Sequence, residues 1–363
     1  MHLEASTGWG GQEMRILEEA TVMRKRGYKI LLVVEKGALL KKRAEERGFL
    51  VYECSFRKRY WWKTFWYLLY LLRKEQVDIL NTHSSLDAWI GGFVGKVLRK
   101  PVIRTRHLSA PIKKGWNSKI LYKLLADYVV TTCEEMVPKI VEQARQAKGR
   151  CLSIPTGILP ENVVYDFAEK RSWEERFGIQ PTDFIVGTAC FMRSWKGIED
   201  LLEAAHLLKQ EKRIKFVLVG GGNQAYYQKR AEELGLGESV FFTGHLEKPF
   251  SAMALFDVFV LLSRANEGVS QASLQAAFLG LGRPLITTRV GGLPEVCQHF
   301  KTGIQVPTRS PAAVSEAILR LKNEEGLTKR LGKRAKELVL NKFTQTSMAD
   351  QIEQIYQKIR ASS

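Results

Sequence analysis

One stretch of this chain, residues 263–296, has the sequence SRANEGVSQASLQAAFLGLGRPLITTRVGGLPEV. Glu267 and Gly268 precede a helical segment that carries Gln275, and a Gly-Arg-Pro break then leads into a β-branched strand and a Gly-Gly turn. The N-terminus of such a helix offers N–H groups without intrahelical partners and the positive end of the helix dipole, which suits a phosphate. A carboxylate beside an anion site repels the anion, so it is better suited to accept hydrogen bonds from hydroxyl groups, as on a sugar.

The length and composition restrict the class of protein. At 363 residues the chain can bury a large core, and two domains are expected. No apolar run approaches the roughly 18 residues of a membrane span and no signal peptide is visible, so we expect a cytoplasmic protein. The five scattered cysteines form no C-x-x-C pair and are typical of reduced thiols, neither a disulfide set nor a zinc site. The net charge of +18 predicts an acidic partner: nucleic acid, anionic lipid or a phosphorylated substrate.

Strand-like and helix-like segments alternate along nearly the whole chain, which predicts parallel sheets with helices on both faces. The pattern restarts after Pro160, so a domain boundary is expected near residues 155–170. Ligands of such sheets bind beyond the carboxyl ends of the strands, where loops lead into helices. The predicted strands are residues 29–34, 78–82, 102–105, 128–132 and 150–154 in the first half and 185–189, 215–219, 240–243, 258–262 and 285–288 in the second.

The stretch at residues 263–296 resembles the signature of the retaining glycosyltransferases of the GT-B fold, family 4. That signature is Glu-Gly-x-Pro followed by Leu-Glu-Ala; here Glu267 is the first glutamate, Ser270 replaces the usual proline and Gln275 replaces the second glutamate. The resemblance extends through nearly the whole chain. It implies an α/β fold of two doubly wound, Rossmann-like domains that face each other across a cleft. Residues 1–158 would bind the acceptor, with a C-terminal helix at 346–363 packing back on them, and residues 159–345 would bind the nucleotide sugar.

Two cations and two residues of the signature are the main candidates for donor chemistry. By the resemblance, Arg193 and Lys196 grip the donor diphosphate, since two cations at a strand end can neutralise a departing nucleoside diphosphate without a metal. The alternative is two solvated surface cations of a basic protein. Glu267 would contact the donor sugar hydroxyls near the reacting centre; alternatively it is a carboxylate stabilised by the helix dipole, worth about 0.3–1 kcal/mol. Gln275 stands where the second glutamate contacts the ribose, and its neutral amide is expected to weaken donor affinity more than chemistry.

Other residues are expected near the donor because loops at strand ends bring backbone groups close to a ligand. Isolated glycine pairs are weak signals, and the Gly-Gly-Gly triplet that begins at Gly220 lacks the spacing of a dinucleotide-binding motif. That triplet is better explained as a tight strand-to-helix turn beside the nucleotide. The predicted donor-binding residues, besides Gln275, are Gly10, Gly11, Gly220, Gly244, Leu246, Gly268, Val269 and Ser270.

His83 and His107 both follow predicted strands of the first domain, so both are expected to face the cleft. By the resemblance His107 hydrogen-bonds the donor sugar and belongs with the catalytic candidates. His83 is an acceptor-side candidate, together with Lys113 and Lys114. His2, His206 and His299 are taken as structural or superficial, and no cluster has the spacing of metal ligands. Neither a metal nor any other cofactor is therefore expected.

Residues 57–73, RKRYWWKTFWYLLYLLR, combine seven aromatic rings with five cations. One interpretation is a core helix of the first domain. However, three tryptophans within six residues exceed what one buried stripe needs, and basic-aromatic amphipathic helices dock on anionic membrane surfaces. Residues 113–117, KKGWN, would add a second such contact. The sequence thus leaves open a peripheral location on the inner face of the plasma membrane.

We therefore expect a metal-independent, retaining glycosyltransferase of the hexosyltransferase type. It would move a sugar from a nucleotide diphosphate sugar to a glycan or lipid-linked acceptor, in the synthesis of bacterial cell-envelope polysaccharide or lipopolysaccharide. One alternative is a nucleotide-sugar epimerase on the same fold, which would need carboxylate bases that the sequence does not show. Another is a non-catalytic glycan- or nucleic-acid-binding protein, which Arg193, Lys196 and Glu267 argue against. Nucleic acid is not expected, because the basic excess is taken to be spread along the chain and no recognition motif accompanies it.

Overall fold

A computed structural model describes residues 1–107, 109, 112 and 114–361 of the chain. Lys113, one of the acceptor-side candidates, lies outside the described residues. The chain divides into two compact units: unit 1 comprises Met1–Thr156 and the C-terminal segment that begins at Gln345, and unit 2 comprises Gly157–Thr344. Each unit contains one parallel sheet with helices on both faces, which confirms the α/β, doubly wound fold class.

Unit 1 contains the strands β1 (His2–Glu4), β2 (Leu31–Glu35), β3 (Leu50–Cys54), β4 (Leu80–Thr82), β5 (Val102–Arg106), β6 (Tyr128–Thr131) and β7 (Cys151–Ser153). They form one parallel sheet in the order β3-β2-β1-β4-β5-β6-β7. The short strand β1 pairs with both β2 and β4, so the strand order reverses there. A reversal of this kind opens a crevice at the carboxyl ends of the strands, which is where ligands of open α/β sheets bind.

The helices of unit 1 are α1 (Gly11–Lys25), α2 (Leu39–Glu46), α3 (Trp61–Lys74), α4 (Ser85–Val97), α5 (Trp116–Lys119), α6 (Met136–Ala144) and, at the C-terminus, α15 (Gln345–Ala361). A π-helical turn at Ile120–Leu124 continues α5. On one face of the sheet α1, α2 and α15 share a core that includes Ile16, Leu40 and Ile355. Helices α3 and α4 and the π-helical turn pack on the other face.

Helix α4 lies unusually close to its neighbours because glycines face them. A Cβ on Gly91 would be 2.5 Å from the Leu3 side chain of β1, and one on Gly92 would be 2.6 Å from the Leu125 side chain. Both distances are below van der Waals contact, so a larger residue would push the helix away from the sheet or from the π-helical turn. Close packing at these two glycines thus sets the position of α4 in its layer.

Unit 2 contains the strands β8 (Phe184–Ala189), β9 (Ile214–Val219), β10 (Val240–Gly244), β11 (Val258–Leu261), β12 (Leu285–Thr288) and β13 (Gly303–Val306). They form a parallel sheet in the order β10-β9-β8-β11-β12-β13, which reverses between β8 and β11. The helices of unit 2 are α7 (Phe167–Arg176), α8 (Ile198–Leu207), α9 (Gln224–Glu233), α10 (Phe250–Met253), α11 (Gln271–Phe278), α12 (Leu293–Val296), α13 (Pro311–Asn323) and α14 (Glu325–Lys342). Within the described part of the chain, no helix combines the length and apolar character needed to cross a bilayer.

The ten strands predicted from the sequence are all present, with ends shifted by two residues at most; the short first strand β1 was not among these ten ranges, and β3 and β13 were missed. Both are edge strands. Leu50 of β3 is exposed, and Glu53 of the same strand pairs with Lys41, so β3 lacks the apolar run that marks a buried strand. Strand β13 has only four residues and begins at a glycine, which weakens the strand pattern.

Candidate active site

In unit 2 the carboxylate of Glu267 is held on one oxygen in the loop that follows β11, where the residue is 7% exposed. Lys196 Nζ donates a hydrogen bond to Glu267 Oε2 at 2.7 Å, and Ser263 Oγ donates to the same oxygen at 2.6 Å. Thr288 of β12 in turn donates to the Ser263 carbonyl at 2.6 Å. Among the described residues Oε1 has no hydrogen-bond partner, so the carboxylate is fixed at one oxygen and can accept a hydrogen bond at the other.

Lys196 reaches Glu267 because the turn that carries it packs directly on the end of β11. Gly197 follows Lys196 in the left-handed conformation, with φ of 70°. A Cβ on Gly197 would lie 2.1 Å from the carbonyl oxygen of Leu262, so only glycine permits both the φ value and the contact. The sequence Lys-Gly is therefore the local reason that an ammonium from the β8 side meets a carboxylate from the β11 side.

A second ion pair fixes the same two loops to each other. The guanidinium of Arg264 binds Asp200 of α8 at two points, Nε to Oδ2 at 3.1 Å and Nη2 to Oδ1 at 2.7 Å. The backbone N–H of Arg264 also donates to the carbonyl of Trp195 at 2.7 Å. A bidentate arginine–carboxylate pair has a restricted geometry, so this contact holds the loop after β11 at a set distance from α8. Neither residue of this pair was predicted from the sequence to belong to the site.

Arg193, the other predicted diphosphate ligand, is exposed and pairs with no carboxylate of the described residues. Its guanidinium stacks over the rings of Phe191, at 4.9 Å from the ring centroid, and Trp195, at 5.1 Å. The structure does not join Arg193 to the Lys196–Glu267 pair by a hydrogen bond. An arginine that is oriented by aromatic rings and not neutralised keeps its full charge and its donors for an anion.

Helix α11 begins directly after the candidate carboxylate. Ser270 is its N-cap, and the Ser270 hydroxyl accepts a hydrogen bond from the Ser273 N–H at 3.3 Å. The peptide between Gly268 and Val269 packs against Gly292, where a Cβ would lie 2.4 Å from the Val269 nitrogen. Gln275 is half-buried on the same helix, and no described side chain pairs with its amide. The helix N-terminus, the carboxylate and an unpaired amide thus follow one another along one loop and helix.

The glycines after β9 and β10 form the neighbouring wall of unit 2. Gly220 has φ of 130°, and a Cβ there would lie 2.1 Å from the Cys190 carbonyl oxygen, so glycine is required. The Gly220 N–H donates to the Gly244 carbonyl at 3.0 Å, which joins the ends of these two strands. Leu246, two residues further on, is half-buried against the core. The triplet is therefore a tight turn at the strand end, in agreement with the sequence interpretation.

In unit 1 a buried carboxylate, Glu4, organises the loop after β1. Glu4 is 1% exposed and accepts hydrogen bonds from the Ser6 N–H, the Ser84 hydroxyl and the Gln12 amide. Burial raises the pKa of Glu4 above its ordinary value, and the hydrogen bonds oppose that rise. This network ties the loop after β1 to Gln12 of α1 and to Ser84 before α4, and it was not predicted from the sequence.

Gly10 and Gly11 stand at the start of α1, beyond that loop. The Gly10 N–H donates to the Glu13 carboxylate at 2.8 Å, as the glutamate of a capping box accepts from the N-cap backbone. The backbone of Gly10 is extended, and a Cβ on Gly11 would meet nothing within 4 Å. Neither glycine is therefore required by protein packing, and the space beside Gly11 is open.

Three imidazoles form a hydrogen-bonded chain at the carboxyl ends of β4 and β5. His2 Nδ1 lies 2.9 Å from His83 Nε2, and His83 Nδ1 lies 3.0 Å from His107 Nε2. The rings of His2 and His83 are stacked, with centroids 5.2 Å apart and planes 7° from parallel. His2, which the sequence analysis had taken as structural or superficial, is thus a buried member of a chain that ends at a catalytic candidate.

All three imidazoles are neutral at pH 7. Burial lowers the pKa of His2 to about 3, and burial also lowers the pKa of His83 and His107 well below the ordinary value. Nearby positive groups, including Arg15, contribute to the same lowering after burial. A neutral imidazole has one N–H donor and one acceptor nitrogen, so each ring of the chain donates in one direction only.

The direction of this chain sets the tautomer of His107. When His83 donates from Nδ1 to His107, its Nε2 must accept from His2, and His107 keeps its own proton on Nδ1. When the chain runs the other way, His107 donates to His83 and its Nδ1 becomes an acceptor. Nδ1 of His107 takes no part in the hydrogen bonds between the three rings. It is therefore a donor or an acceptor, depending on the tautomers of His2 and His83.

A cavity of about 550 Å³ lies in unit 1 beside the start of α4. Lys114, one of the acceptor-side candidates, lines it together with Arg106, and neither His83 nor His107 does. Arg106 donates to the Tyr122 hydroxyl at 2.7 Å. The aromatic residues of the lining are Trp89, Trp116 and Tyr122. A cavity with aromatic walls and two cations suits a sugar or an anionic ligand.

Family models match both units of the chain. The model of Glycosyltransferase Family 4 matches residues 9–162, and the model of Glycosyl transferases group 1 matches residues 169–338. Among curated proteins, the chain is 26% identical over 300 residues to the N-acetyl-alpha-D-glucosaminyl L-malate synthase of Bacillus anthracis, which covers 78% of the chain and 75% of that protein. It is also 26% identical over 311 residues to the O-antigen chain mannosyltransferase C of Escherichia coli, covering 78% and 76%.

The structure is similar to that of the Anabaena protein HepE in complex with UDP. The TM-score is 0.85 at 18% sequence identity, and the match covers 98% of this chain and 99% of that one. HepE has also been solved with UDP-glucose. At this level of identity the similarity concerns the fold, and it extends over both units.

Proposed function

The chain belongs to the GT-B glycosyltransferases of family 4, and from this we propose that it transfers a sugar, with retention of configuration, from a nucleotide diphosphate sugar to a glycan or lipid-linked acceptor. Three findings support the proposal. HepE, of the same fold, binds UDP and UDP-glucose. A relative is an O-antigen chain mannosyltransferase, which favours a role in bacterial cell-envelope polysaccharide or lipopolysaccharide synthesis. Unit 2 holds a paired lysine and carboxylate at the carboxyl end of its sheet.

The pair of Lys196 and Glu267 is the observation that carries this proposal. Its ammonium would stabilise the negative charge that develops on the leaving diphosphate, and Arg193 would add a second, unneutralised cation. Fixed cations beside a leaving group act without reorganisation, so they favour the transition state over the bound substrate. This arrangement supplies charge stabilisation from side chains, and we propose that turnover needs no divalent metal.

Glu267 would bind the donor sugar through its open oxygen. Lys196 and Ser263 already occupy Oε2, so Oε1 can accept hydrogen bonds from sugar hydroxyls without losing its position. The Gly268–Val269 peptide and the N-terminus of α11 would face the phosphates, where N–H groups favour an anion. In this family the departing phosphate oxygen is thought to deprotonate the acceptor on the same face of the sugar. We propose the same path here, which requires no separate general base.

The nucleoside would lie along the strand ends of unit 2. The turns at Gly220 and Gly244 leave backbone groups without side chains over them, and Leu246 offers an apolar edge to a base. Gln275 would face the ribose hydroxyls with one acceptor oxygen and no charge, which makes these hydrogen bonds weaker than those of a glutamate.

Unit 1 would bind the acceptor. His107 would hydrogen-bond the donor sugar through Nδ1, because its Nε2 is already used by His83. The cavity with Lys114 and Arg106 is the candidate acceptor site, and its aromatic walls suit the apolar face of a sugar ring. The open space at Gly11 would allow a ligand to approach the backbone of the loop after β1.

A thermal-shift screen against UDP-, GDP- and ADP-sugars tests the proposal, since a ligand that binds only the folded state raises its melting temperature. The nucleotide sugar that raises the melting temperature is then used as the donor in a transfer assay, which compares wild type with Lys196→Ala. Removing one preorganised charge should lower turnover about 10²–10³-fold while the melting temperature without ligand changes little. A variant with full turnover, or wild-type turnover that strictly needs a divalent metal, would contradict the proposal.

Analysis of the products separates the two alternatives. Conversion of the donor to an epimer in the absence of any acceptor would identify a nucleotide-sugar epimerase. Binding of glycan or DNA without transfer or hydrolysis of any nucleotide sugar would identify a binding protein.

A further inference from the structure

The positive charge of this protein is concentrated in two stretches of unit 1. Residues 54–74 contain six lysines and arginines, residues 88–126 contain nine, and neither stretch contains an aspartate or a glutamate. Together they account for fifteen of the net eighteen positive charges. The expectation that the basic excess is spread along the chain was therefore wrong. The two stretches include α3, most of α4, and α5 with its π-helical turn.

These elements lie side by side on one face of the sheet of unit 1. Leu68 of α3 and Val94 of α4 belong to one core cluster on that face. Ala88 of α4 and Leu121 of the π-helical turn belong to the adjoining cluster. Helices α1, α2 and α15 cover the opposite face. Side chains opposite the buried stripes of α3, α4 and the π-helical turn consequently point away from the sheet in the same general direction.

Large apolar side chains are exposed on this outward surface, which we call the aromatic face. On α3, Trp62, Trp66 and Tyr70 follow at intervals of four residues and form one stripe. Trp62 is 71% exposed, and its ring meets that of Trp66 edge to face with centroids 5.4 Å apart. The interpretation of these tryptophans as core residues is therefore wrong. The other exposed members are Phe93 and Val97 of α4, Trp116 of α5 and Leu124 of the π-helical turn.

Cations accompany the aromatic face along its length. Arg59 and Lys63 are exposed at the start of α3, and Lys123 is exposed in the π-helical turn. The ammonium of Lys119 lies 5.0 Å from the centre of the Trp116 ring. Of the lysines near the end of α4, Lys96 is neutralised by an aspartate at 2.8 Å. The exposed cations Arg59, Lys63 and Lys123 therefore lie on or next to the elements that carry the apolar residues, while Lys96, Lys100 and the buried Arg104 pair with carboxylates from outside the two stretches.

We propose that the aromatic face docks unit 1 on an anionic lipid bilayer. Exposed tryptophan, phenylalanine and aliphatic side chains gain free energy in the interfacial region of a bilayer, and neighbouring cations gain free energy from anionic headgroups. The aliphatic members Val97 and Leu124 favour a lipid surface over nucleic acid, because a phosphate backbone offers them no apolar environment. The cations and the apolar stripe thus both fit the same partner, an anionic lipid bilayer.

The docking surface also bears on the proposed acceptor, and only this step rests on the proposed function. Lys114 and Trp116 are both exposed and both line the candidate acceptor cavity. A bilayer in contact with the aromatic face would therefore meet the cavity wall. The acceptor class that fits this position is a lipid-linked sugar or glycan, whose apolar anchor stays in the bilayer.

Vesicle flotation with the full chain tests the docking surface. The probes are vesicles of phosphatidylcholine alone and of phosphatidylcholine mixed with phosphatidylglycerol, each at low and high salt. We expect binding to the anionic vesicles that weakens as salt rises, because the attraction decays within a Debye length. Neutralising two cations, in the double variant Arg59→Gln and Lys63→Gln, should weaken partitioning about 30-fold. The double variant Trp62→Ser and Trp66→Ser should remove the binding that persists at high salt.

Matched control variants are available in unit 2. Phe167 and Leu281 are 76% and 87% exposed, and changing both to serine removes a similar amount of exposed apolar surface. Changing the exposed Lys333 and Arg334 of α14 to glutamine removes the same charge. Both controls should bind vesicles as wild type does. Lys196→Ala should also keep vesicle binding although its turnover is strongly reduced, so failure of the proposed transfer mechanism and failure of the docking surface can be told apart.

Any of the following outcomes would overturn the proposal. The first is wild-type protein that ignores anionic vesicles at low salt. The second is equal binding to neutral and anionic vesicles, or controls that lose as much binding as the variants of the aromatic face. The third is retention of DNA, lost in the Arg59→Gln and Lys63→Gln variant, without any vesicle binding, which would assign the basic surface to nucleic acid.

Discussion

At the scale of single residues, the candidate site is built from contacts between side chains that are distant in sequence. Lys196 and Glu267 are 71 residues apart, and His2 and His83 are 81 apart. Lys196 and Glu267 were identified from the sequence because each resembles a residue of a known motif. Their contact could not be predicted, since a motif gives residue types and spacing but no distances across a sheet.

The neutral amide of Gln275 gives a direct test of the nucleotide site. Gln275→Glu should tighten binding of the nucleoside diphosphate by about 1 kcal/mol, because hydrogen bonds to a charged acceptor are stronger than those to a neutral one. Calorimetry measures the change. The matched control is Gln228→Glu, an exposed amide of α9, which should leave affinity unaltered. Equal affinities of wild type and Gln275→Glu would mean that Gln275 does not face the ribose.

The histidine chain predicts a pH dependence of folding stability. The pKa of His2 is lowered on folding from its ordinary value near 6.5 to about 3, so the unfolded chain binds a proton first as the pH falls. The stability contributed by neutral His2 is therefore complete above about pH 6.5 and decreases below it, by up to about 1.4 kcal/mol per pH unit. Glu4, whose pKa is raised, acts in the opposite direction.

A comparison of variants isolates this contribution of His2. The difference in free energy of unfolding between wild type and His2→Asn should shrink as the pH is lowered from 7 to 5, because only wild type carries the titrating ring. Urea unfolding at several pH values measures it. A difference that stays constant across this range would show that His2 is not buried in its neutral form.

At the scale of elements, the turn between β8 and α8 positions the reactive lysine. Gly197→Ala should destabilise the protein by more than the roughly 1–3 kcal/mol of a strained left-handed residue, because the added Cβ also meets the Leu262 carbonyl. Gly178→Ala is the matched control, since Gly178 has φ of 58° and nothing within 4 Å of its Cβ position. Denaturant midpoints of both variants separate strain from steric contact. Equal losses would argue against the packing of this turn on β11.

The strands and helices also differ in how clearly their sequence patterns predict them. Buried central strands such as β8 and β11 were predicted because they are continuous apolar runs, and their neighbours in the sheet confirm them. The edge strand β3 was missed, since only one of its five residues, Cys54, is fully buried. For α3 the pattern was ambiguous between core and surface, because aromatic rings suit both. Only the exposed fractions of the side chains in its outer stripe showed that this side of α3 is a surface.

At the scale of the whole molecule, each unit completes its own sheet and core. The chain returns to unit 1 at its end, where α15 packs on α1. Arg26, which directly follows α1, forms ion pairs with Asp350 at 2.6 Å and Glu353 at 2.8 Å. Unit 1 also carries the two stretches that hold nearly all the excess charge. The two stretches without acidic residues thus lie in unit 1, which is proposed to bind the acceptor. The motif of family 4 lies in unit 2, which is proposed to bind the donor.

The sequence by itself determined the alternation of strands and helices, the restart near residue 160, and the family, because these depend on local periodicity and on residue types at fixed spacing. Only the tertiary structure decided that Lys196 pairs with Glu267, that His2 joins His83 and His107, and that Trp62 and Trp66 face outward. Each of these depends on which strand lies beside which and on which side of a helix is covered. The periodicity of one segment does not show which other element packs against it. The packing partner is therefore decided only when the whole chain has folded.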